Sequence, residues 1–335
     1  MAAAGAEDAK YVLLGMPDMN GYLRGKALRR NAFDAAAEDG TVMTDLLLGL
    51  DPVDTPIADY EDFGIRSGAG DLIVRPEPDT LHELTWKPGW SVCLATPSWG
   101  DGSPCELASR EVLRRALAAM AELGYEIRAA FEYEIRLWDG EGRPLSSGIS
   151  YSIVEAGRYH EFVSALGPAL DALGVELSAV HTEAGPGLLE LNLSAQMGLR
   201  SADDGAFVKL AVKGVAETLG LRASFLAKTV PGEEGSSGHI HMSCWSGETN
   251  AFAAADAADP LPRELTSAIA GVLDHLPALP GSLEAALRAF EADDVLRQAL
   301  GERFSEYYAT SRGWELKAWR ETVTEWERER YERSV

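Results

Sequence analysis

The chain has 335 residues, enough for two domains, and its 46% hydrophobic and 25% charged residues are typical of a globular protein with a full core. Its net charge of −23, without a visible basic patch, argues against a nucleic-acid binder, and no run is long and apolar enough to span a bilayer. The three cysteines, Cys93, Cys105 and Cys244, are well separated, which favours a reducing, cytoplasmic location over a disulfide framework.

The first part of the chain is rich in predicted strands. Residues 1–10 lack the basic start and apolar stretch of a secretory signal, and we predict a flexible tail there. Asn20 and Gly21 supply the positive φ angles of a tight turn between two strands. The elements predicted before a boundary near residue 103 are strands over 11–16, 22–28, 70–74 and 90–95 and a helix over 31–38, with irregular sequence at 40–59.

Helices alternate with strand pairs from residue 104 to about residue 250, and only helices are predicted after residue 260. The predicted strands are 129–137, 175–180, 188–193, 223–230 and 238–245. The predicted helices are 109–123 with Ser109 as N-cap, 159–173, 203–219, 261–276, one from its cap Ser282 to Phe290, 293–300 and 307–331. This order indicates an α+β fold, in which a small β-rich domain precedes a domain with a curved sheet and outer helices.

The segment from Ala129 to Leu137 carries the first candidate site. It reads A-A-F-E-Y-E-I-R-L, which alternates apolar and polar residues as in a strand with one buried face. Glu132 and Glu134 therefore share a face, about 7 Å apart along the strand. Two such carboxylates repel each other unless a cation or proton lies between them, although a solvated strand face is the plainer interpretation of this segment alone.

Two further segments carry similar groups. In H-T-E-A-G-P-G-L-L-E, a Gly-Pro-Gly turn can bring Glu183 and Glu190 together, although a plain hairpin with incidental acids has the same pattern. In G-S-S-G-H-I-H-M-S, a loop of small residues enters a strand that carries His239, His241 and Ser243 on one face. Loops of this kind let backbone N–H groups approach a ligand closely.

Together the three segments offer four carboxylates and one or two imidazoles from separated strands. Carboxylate oxygens with one imidazole suit Mg²⁺ or Mn²⁺ better than zinc. Such a cluster fits phosphoryl transfer, in which a metal neutralises phosphate oxygens. The sequence has neither a P-loop nor a kinase-type glycine-rich loop, so a nucleotide would bind by another design.

These segments, in this order, resemble the glutamine synthetase family, and more closely its γ-glutamyl-amine and polyamine ligase branch. The stretches that carry the resemblance are A-F-E-Y-E-I, E-A-G-P-G-L-L-E-L-N, P-G-E-E-G-S-S-G-H-I-H-M-S, M-P-D-M-N-G-Y-L-R-G-K, G-D-L-I-V-R-P-E-P-D-T-L and V-T-E-W-E-R-E-R-Y. The resemblance implies a small β-grasp domain over 11–103 and a glutamine-synthetase-like catalytic α/β domain over 104–335.

The resemblance also implies an activity and an assembly. In the family, ATP phosphorylates the γ-carboxylate of glutamate, and an amine then displaces the phosphate. The implied cofactors are therefore ATP and Mg²⁺ or Mn²⁺, and the implied role is in nitrogen metabolism. Family members form hexameric rings, often stacked into dodecamers, and each active site lies between the catalytic domain of one subunit and the N-terminal domain of its neighbour.

Site residues follow from the resemblance by position. The first divalent ion would be held by Glu134, Glu183 and Glu190, and the second by Glu132 and His239. Gly235 and His239 would line the substrate pocket for glutamate, and His241 and Ser243 would lie towards the nucleotide. Asp45 and Asp71 would act at the amine site of a neighbouring subunit.

The chain departs from the family pattern in two places. Leu188 stands where the family normally has glutamine after the Gly-Pro-Gly turn. After Pro280 the sequence continues directly with Gly281, so a long family segment is absent. That segment carries the arginines for γ-phosphate and glutamate, a flap glutamate and the last metal-ligand glutamate. We predict an internal deletion near residue 280, which truncates the sheet and leaves an edge that must be covered or paired.

Three functional hypotheses follow. The first is a metal-dependent, ATP-using ligase that joins a γ-glutamyl or related carboxylate to an amine, with cations supplied from elsewhere, because losing one phosphate-binding arginine can cost roughly 10³ in rate. The second is a metal-binding relative with changed chemistry, such as hydrolysis or a specialised biosynthetic step. The third is a non-catalytic partner or regulator of a full-length ligase.

Overall fold

The structure, a computed structural model, describes residues 9–254, 260–276 and 281–331. Residues 1–8 of the predicted tail and the predicted deletion point at 277–280 lie outside the described residues, as do 255–259 and 332–335. No helix in the described part of the chain has the length and apolar character needed to cross a membrane.

A six-stranded sheet forms the N-terminal part. Its elements are β1 (Tyr11–Pro17), β2 (Leu23–Arg29), α1 (Arg30–Asp39), β3 (Thr41–Thr44), β4 (Asp71–Pro76), β5 (His82–Glu83) and β6 (Trp90–Trp99). The strand order is β2-β1-β6-β4-β3, with β5 paired to β6. Strands β1 and β2 form the predicted hairpin, and β1 runs parallel to β6. Gly25 is required in this hairpin, because a Cβ there would lie 1.9 Å from the carbonyl oxygen of Leu14.

A second, seven-stranded sheet follows. Its elements are α2 (Ser109–Glu122), β7 (Glu126–Trp138), α3 (Ala156–Ala172), β8 (Leu177–Thr182), β9 (Leu188–Leu193), β10 (Gln196–Met197), α4 (Leu199–Thr218), β11 (Arg222–Ser224), β12 (Gly238–Ser246) and β13 (Thr249–Asn250). The order is β13-β12-β7-β9-β8, and β10 and β11 also pair with β7. The long strand β7 is therefore the centre of the sheet and carries Glu132 and Glu134.

Helices α3 and α4 cover one face of this second sheet. Ile135 of β7 and Leu189 of β9 lie in one buried cluster with Phe162 of α3 and Phe207 of α4. Because successive side chains of a strand point to opposite faces, the polar residues of β7 lie on the face away from these helices. The fold is thus the predicted α+β arrangement, and its packing leaves the polar face of the second sheet free for a site.

One of the C-terminal helices, α8 (Glu302–Glu321), returns to the N-terminal sheet. The others are α5 (Arg263–His275), α6 (Leu283–Glu291), α7 (Asp294–Leu300) and α9 (Glu325–Tyr331). Tyr307 of α8 lies in the buried core of the N-terminal sheet. Its hydroxyl donates a hydrogen bond to the carbonyl oxygen of Leu48 at 2.9 Å, and its backbone carbonyl oxygen accepts one from the Tyr60 hydroxyl at 2.9 Å. Packing therefore crosses the predicted domain boundary at residue 103.

Three predicted elements are wrong in detail. Ser109 is not the N-cap of α2, because the extended residue Ala108 occupies that position and Ser109 is already helical. The strand predicted over 223–230 ends at Ser224, whose hydroxyl accepts a hydrogen bond from the Leu226 N–H. Irregular sequence was predicted at 40–59, but β3 lies there because its four residues pair with β4.

The helix predicted over 307–331 is also wrong in its bounds. It begins earlier, at Glu302, after Gly301 with a φ of 90° ends α7. It is interrupted after Glu321, because Thr324 caps a separate helix α9. The Thr324 hydroxyl accepts from the Glu327 N–H, while the Glu327 carboxylate accepts from the Thr324 N–H at 2.8 Å. This reciprocal pair is a capping box.

A buried histidine lies where the N-terminal sheet contacts helix α4. His82 of β5 is 9% exposed and lies edge-on to Phe207 of α4, and its Nε2 has no hydrogen-bond partner among the described residues. Burial, with the nearby charge of Arg200, lowers the pKa of His82 to about 4. The pKa of His82 is lower in the folded than in the unfolded state. The contribution of the neutral imidazole to the unfolding free energy is therefore complete above the unfolded-state pKa, and it is lost as pH falls towards the folded-state pKa.

We expect His82→Gln to make the unfolding free energy less dependent on pH in this range. The wild type should lose roughly 2 kcal/mol of unfolding free energy between about pH 7 and about pH 5 through this group, and the variant should lack that loss. Urea unfolding of both proteins at the two pH values measures the difference, in which the contribution of the shared carboxylates cancels. Parallel pH profiles would contradict the prediction.

Candidate metal centre

A cavity of about 720 Å³ lies on the polar face of the second sheet. Carboxylates and imidazoles from four strands line it, together with the loop residue Tyr151. The lining residues are Glu132, Glu134, Tyr151, Ser178, Ala179, His181, Glu183, Glu190, Asn192 and His239. The cavity thus brings together the residues that the sequence placed on three separate segments.

Strand register explains why these groups meet. Glu132 of β7 is paired with His239 of β12 on one side and with Asn192 of β9 on the other. One pair further along, Glu134 faces Glu190, and Glu190 in turn faces His181 of β8. Directly opposed residues on one face have Cβ atoms about 5 Å apart. The polar side chains therefore form two adjacent rows across the sheet.

The first group that could hold a metal ion consists of Glu132, Glu190 and His239, each of which offers a ligand atom within 4.8 Å of the others. Nδ1 of His239 lies 3.1 Å, and Nε2 of His241 lies 3.0 Å, from Oε2 of Glu132. The hydrogen bond from His241, with that from His239, lowers the pKa of Glu132. Glu132 is therefore held as a carboxylate, the form that binds a cation.

The second group contains a residue that the sequence analysis did not select. His181 lies between two acids, with Nδ1 3.4 Å from Oε1 of Glu183 and Nε2 3.2 Å from Oε1 of Glu190. The ring of Tyr151, which has a φ of 55°, stacks on the imidazole with centroids 4.0 Å apart. A signal was present in the sequence, because His181 precedes Glu183 by two residues and so lies on the same strand face.

Glu134 is held by the glycine-rich loop that precedes β12. The Ser237 N–H donates to Oε2 of Glu134 at 3.0 Å, and the Ser237 hydroxyl donates to the same carboxylate. Gly235 is needed in this loop, because a Cβ there would lie 2.7 Å from the carbonyl oxygen of Ala227. The loop therefore approaches the acids closely through a backbone N–H. Gly235 contributes because its lack of a side chain lets the loop follow this path.

Arg136 fixes the two segments that flank the cavity. Its guanidinium is 1% exposed and donates to the carbonyl oxygens of Pro186 at 3.0 Å and Glu234 at 2.8 Å, and to the Glu233 carboxylate. A Cβ at Gly185 would lie 3.0 Å from this guanidinium. The turn that separates Glu183 from Glu190 is thus packed against Arg136, a role that its alternating polar position did not reveal.

We expect Arg136→Met to loosen both segments. The substitution keeps apolar volume but removes the donor from two part-buried hydrogen bonds to carbonyl oxygens and from the Glu233 carboxylate, which should cost roughly 2–3 kcal/mol of unfolding free energy. Hydrogen exchange over 183–190 and 231–237 should accelerate, while exchange in α1 should stay unchanged. As a matched control, Arg143→Met removes an arginine that is largely exposed and should change stability by less than about 0.5 kcal/mol.

The other predicted site residues lie outside the cavity. Asp71 begins β4 of the N-terminal sheet, and Asp45 begins a short 3-10 helix directly after β3. Burial raises the pKa of Asp45, and its carboxylate accepts from the Gly64 N–H at 3.2 Å. His241 contacts Glu132 and lies edge-on to His239 at the border of the cluster, and Ser243 accepts from the Trp245 indole at 2.9 Å. Within the described part of one chain, the two aspartates therefore do not join the metal-ligating groups.

Comparison with known proteins identifies the family of this chain. Residues 106–280 and 276–331 match the catalytic domain of glutamine synthetase, in two parts that meet at the predicted deletion point. The chain belongs to the glutamine synthetase family. The family assignment and the fold expected from the resemblance are thus confirmed.

Individual relatives include a ligase and a synthetase. The chain is 32% identical over 245 residues to glutamate–isopropylamine ligase of a Pseudomonas species, a match of 69% of this chain and 53% of the relative. It is 33% identical over 278 residues to γ-glutamylpolyamine synthetase of Streptomyces coelicolor, a match of 80% and 58%. The chain therefore spans little more than half the length of these curated relatives.

The fold also matches solved structures of this class. A structure of GmaS without ligand superposes with a TM-score of 0.84 at 21% identity and covers 97% of both chains. A glutamine synthase homologue superposes with a TM-score of 0.73 at 24% identity and covers 81% of this chain and 64% of its own. These similarities establish the fold of this family member.

Proposed function

We propose that this glutamine synthetase family member is a divalent-metal-dependent, ATP-using ligase that forms a γ-glutamyl amide or a related amide. The observation that carries the proposal is the convergence of four carboxylates and two imidazoles in one cavity. In this reaction, an oxygen of the acid takes the γ-phosphoryl group of ATP and ADP leaves. The amine nitrogen then attacks the acyl carbon, and phosphate and a proton are released.

The donor set fits the proposed metal. Carboxylate oxygens with few imidazoles are the ligands that Mg²⁺ and Mn²⁺ prefer. Glu134, Glu183 and Glu190 would hold one ion, and Glu132 and His239 the other. Such ions neutralise phosphate oxygens during phosphoryl transfer. Two groups of neighbouring side chains support a metal site here, because Glu132, Glu190 and His239 offer ligand atoms within 4.8 Å of one another, and so do Glu183, Glu190 and His181.

The remaining roles follow the same scheme. Gly235 and His239 would border the acid substrate, and His241 and Ser243 the nucleotide. Asp45 and Asp71 would complete the amine site of a neighbouring subunit in a hexameric or dodecameric ring. Their separation from the cavity of their own chain supports a site shared between subunits. We place this assembly in the cytoplasm.

An assay of ADP release tests the proposal. The chain is incubated with ATP, glutamate and a panel of amines that includes isopropylamine, ethanolamine and polyamines, in Mg²⁺ or in Mn²⁺. We expect amine-dependent ADP release that is lost in Glu134→Gln and kept in Glu122→Gln, an exposed acid at the end of α2. The absence of ADP with every amine would reject the ligase.

One observation favours a second candidate. Among the described residues, neither lysine nor arginine lines the cavity, whereas phosphoryl transfer depends on cationic stabilisation. A metal-binding relative with a different reaction, such as hydrolysis or a specialised biosynthetic step, fits that lining. It predicts calorimetric binding of Mn²⁺ without ADP release, and a chain that binds no divalent ion would instead support a non-catalytic partner.

A further inference from the structure

Strand β12 has a free edge. It pairs with β7 from Gly238 to Trp245, but β13 pairs only with its last two residues, Trp245 and Ser246. No described strand pairs with the other side of β12 before Trp245. The edge lies directly beside the candidate metal centre, and the internal deletion predicted from the sequence would leave an edge of this kind.

The free edge offers backbone hydrogen-bonding groups. The carbonyl oxygen of Ser237 accepts from the Glu134 N–H of β7, and groups that point to one side of a strand alternate along it. The backbone N–H and C=O groups of Gly238, Ile240 and Met242 therefore point outward. Cys244, the next residue in this alternate set, does have an outward partner, because its carbonyl oxygen accepts from the Ala251 N–H at 2.7 Å.

The two faces of this edge differ in chemistry. Ile240 and Met242 are 58% and 60% exposed and lie on the helix-covered side of the sheet, beyond the reach of its core. His239 and His241 lie on the cavity side, where both contact Glu132. Proteins usually protect such an edge with lysine, proline or a bulge, and the segment G-H-I-H-M-S-C has neither lysine nor proline.

Charge decides what kind of strand fits. An added strand would lie about 5 Å from β12 and about 10 Å from β7, so a long basic side chain on it can reach over β12 towards Glu132. Within the described ranges, the lining of the cavity supplies acids without lysine or arginine. A second copy paired through the same edge would instead bring two acidic cavities together, which is unfavourable.

We propose that the outer edge of β12 binds an extended segment of a different protein chain by strand addition. In this segment, basic side chains alternate with apolar ones. The apolar residues cover Ile240 and Met242, and the basic residues face His239, His241 and the acids of the cavity. Main-chain hydrogen bonds to Gly238, Ile240 and Met242 provide the pairing, as in other cases of β-augmentation.

Two synthetic peptides of eight residues test the proposal. One alternates arginine and valine, and the other has the same residues in two blocks, so that the charge is equal but the alternation is lost. We expect fluorescence anisotropy at physiological salt to show binding of the alternating peptide at least about 10-fold tighter than of the block peptide. In Ile240→Pro the two affinities should become equal, because proline removes an outward N–H and leaves the pairing with β7 intact.

Hydrogen exchange of the wild type provides a second readout that does not depend on the folding of the variant. The alternating peptide should slow exchange within 238–244, and the block peptide should not. Equal affinity of the two peptides, or unchanged exchange, would overturn the proposal. The edge would instead be assigned to a second copy by two results together. Exchange within 238–244 would be slow without peptide, and light scattering would show a dimer that Ile240→Pro dissociates. The readout is binding alone, so an inactive enzyme leaves this test unaffected.

Discussion

Replacing Glu190 by glutamine should lower the affinity for Mg²⁺ or Mn²⁺ by about 100-fold or more, since even residues that only orient metal ligands change affinity by about 10- to 100-fold. Glu190 belongs to both groups of candidate ligands and is only 7% exposed. Asn192 donates to its Oε1 at 2.8 Å, a bond that a glutamine carbonyl can also accept. The fold should therefore survive while one anionic ligand is lost.

Isothermal titration calorimetry with Mn²⁺ measures this effect. Glu122→Gln is the matched control, because it removes the same charge from an exposed position outside the cavity. Glu183→Gln should have a smaller effect, because Glu183 belongs to only one of the two groups. Equal affinities of the wild type and Glu190→Gln would remove Glu190 from the metal site.

Replacing Tyr307 by alanine should destabilise the protein by roughly 3–5 kcal/mol, the usual cost of removing a buried aromatic side chain. Tyr307 is 4% exposed, and its ring lies against Tyr60 and Phe63 with centroids 5.4 and 5.8 Å apart. The loss would leave a cavity in the core that α8 shares with the N-terminal sheet, and it would remove the donor to Leu48.

Chemical denaturation measures the loss. Tyr307→Phe separates the two contributions, because it keeps the ring and removes only the hydrogen bond, at a cost of about 1 kcal/mol. Tyr22→Ala removes a tyrosine that is 50% exposed and should change stability by less than about 0.5 kcal/mol. If Tyr307→Ala lost as little stability as Tyr22→Ala, α8 would not contribute to this core.

The sequence predicted best what depends on local pattern. The alternation around Glu132 and Glu134 identified β7, since a period of two needs no tertiary contact to be recognised. Ser282 was correctly predicted as a cap, and its hydroxyl accepts from the Ala285 N–H. The order of the acidic and histidine segments also led to the family. These features are local or arise from motifs of fixed spacing.

Features that depend on distant partners were missed. The spacing of His181 and Glu183 was a local signal, but the contact of His181 with Glu190 appears only once β8 and β9 are in register. Arg136 gave no signal, since its partners lie about 50 and 100 residues further along the chain. Neither a period nor a short motif encodes such contacts, so strand pairing and chain path had to be known first.

The return of α8 to the N-terminal sheet has a consequence for biosynthesis. The hydrogen bond from Tyr60 to Tyr307 joins residues that are 247 positions apart. Domains that emerge first from the ribosome generally fold first, but this N-terminal sheet leaves the ribosome about 200 residues before the helix that completes its core. During synthesis it should therefore persist as a partly open intermediate, and chaperone binding should fall sharply once α8 has emerged.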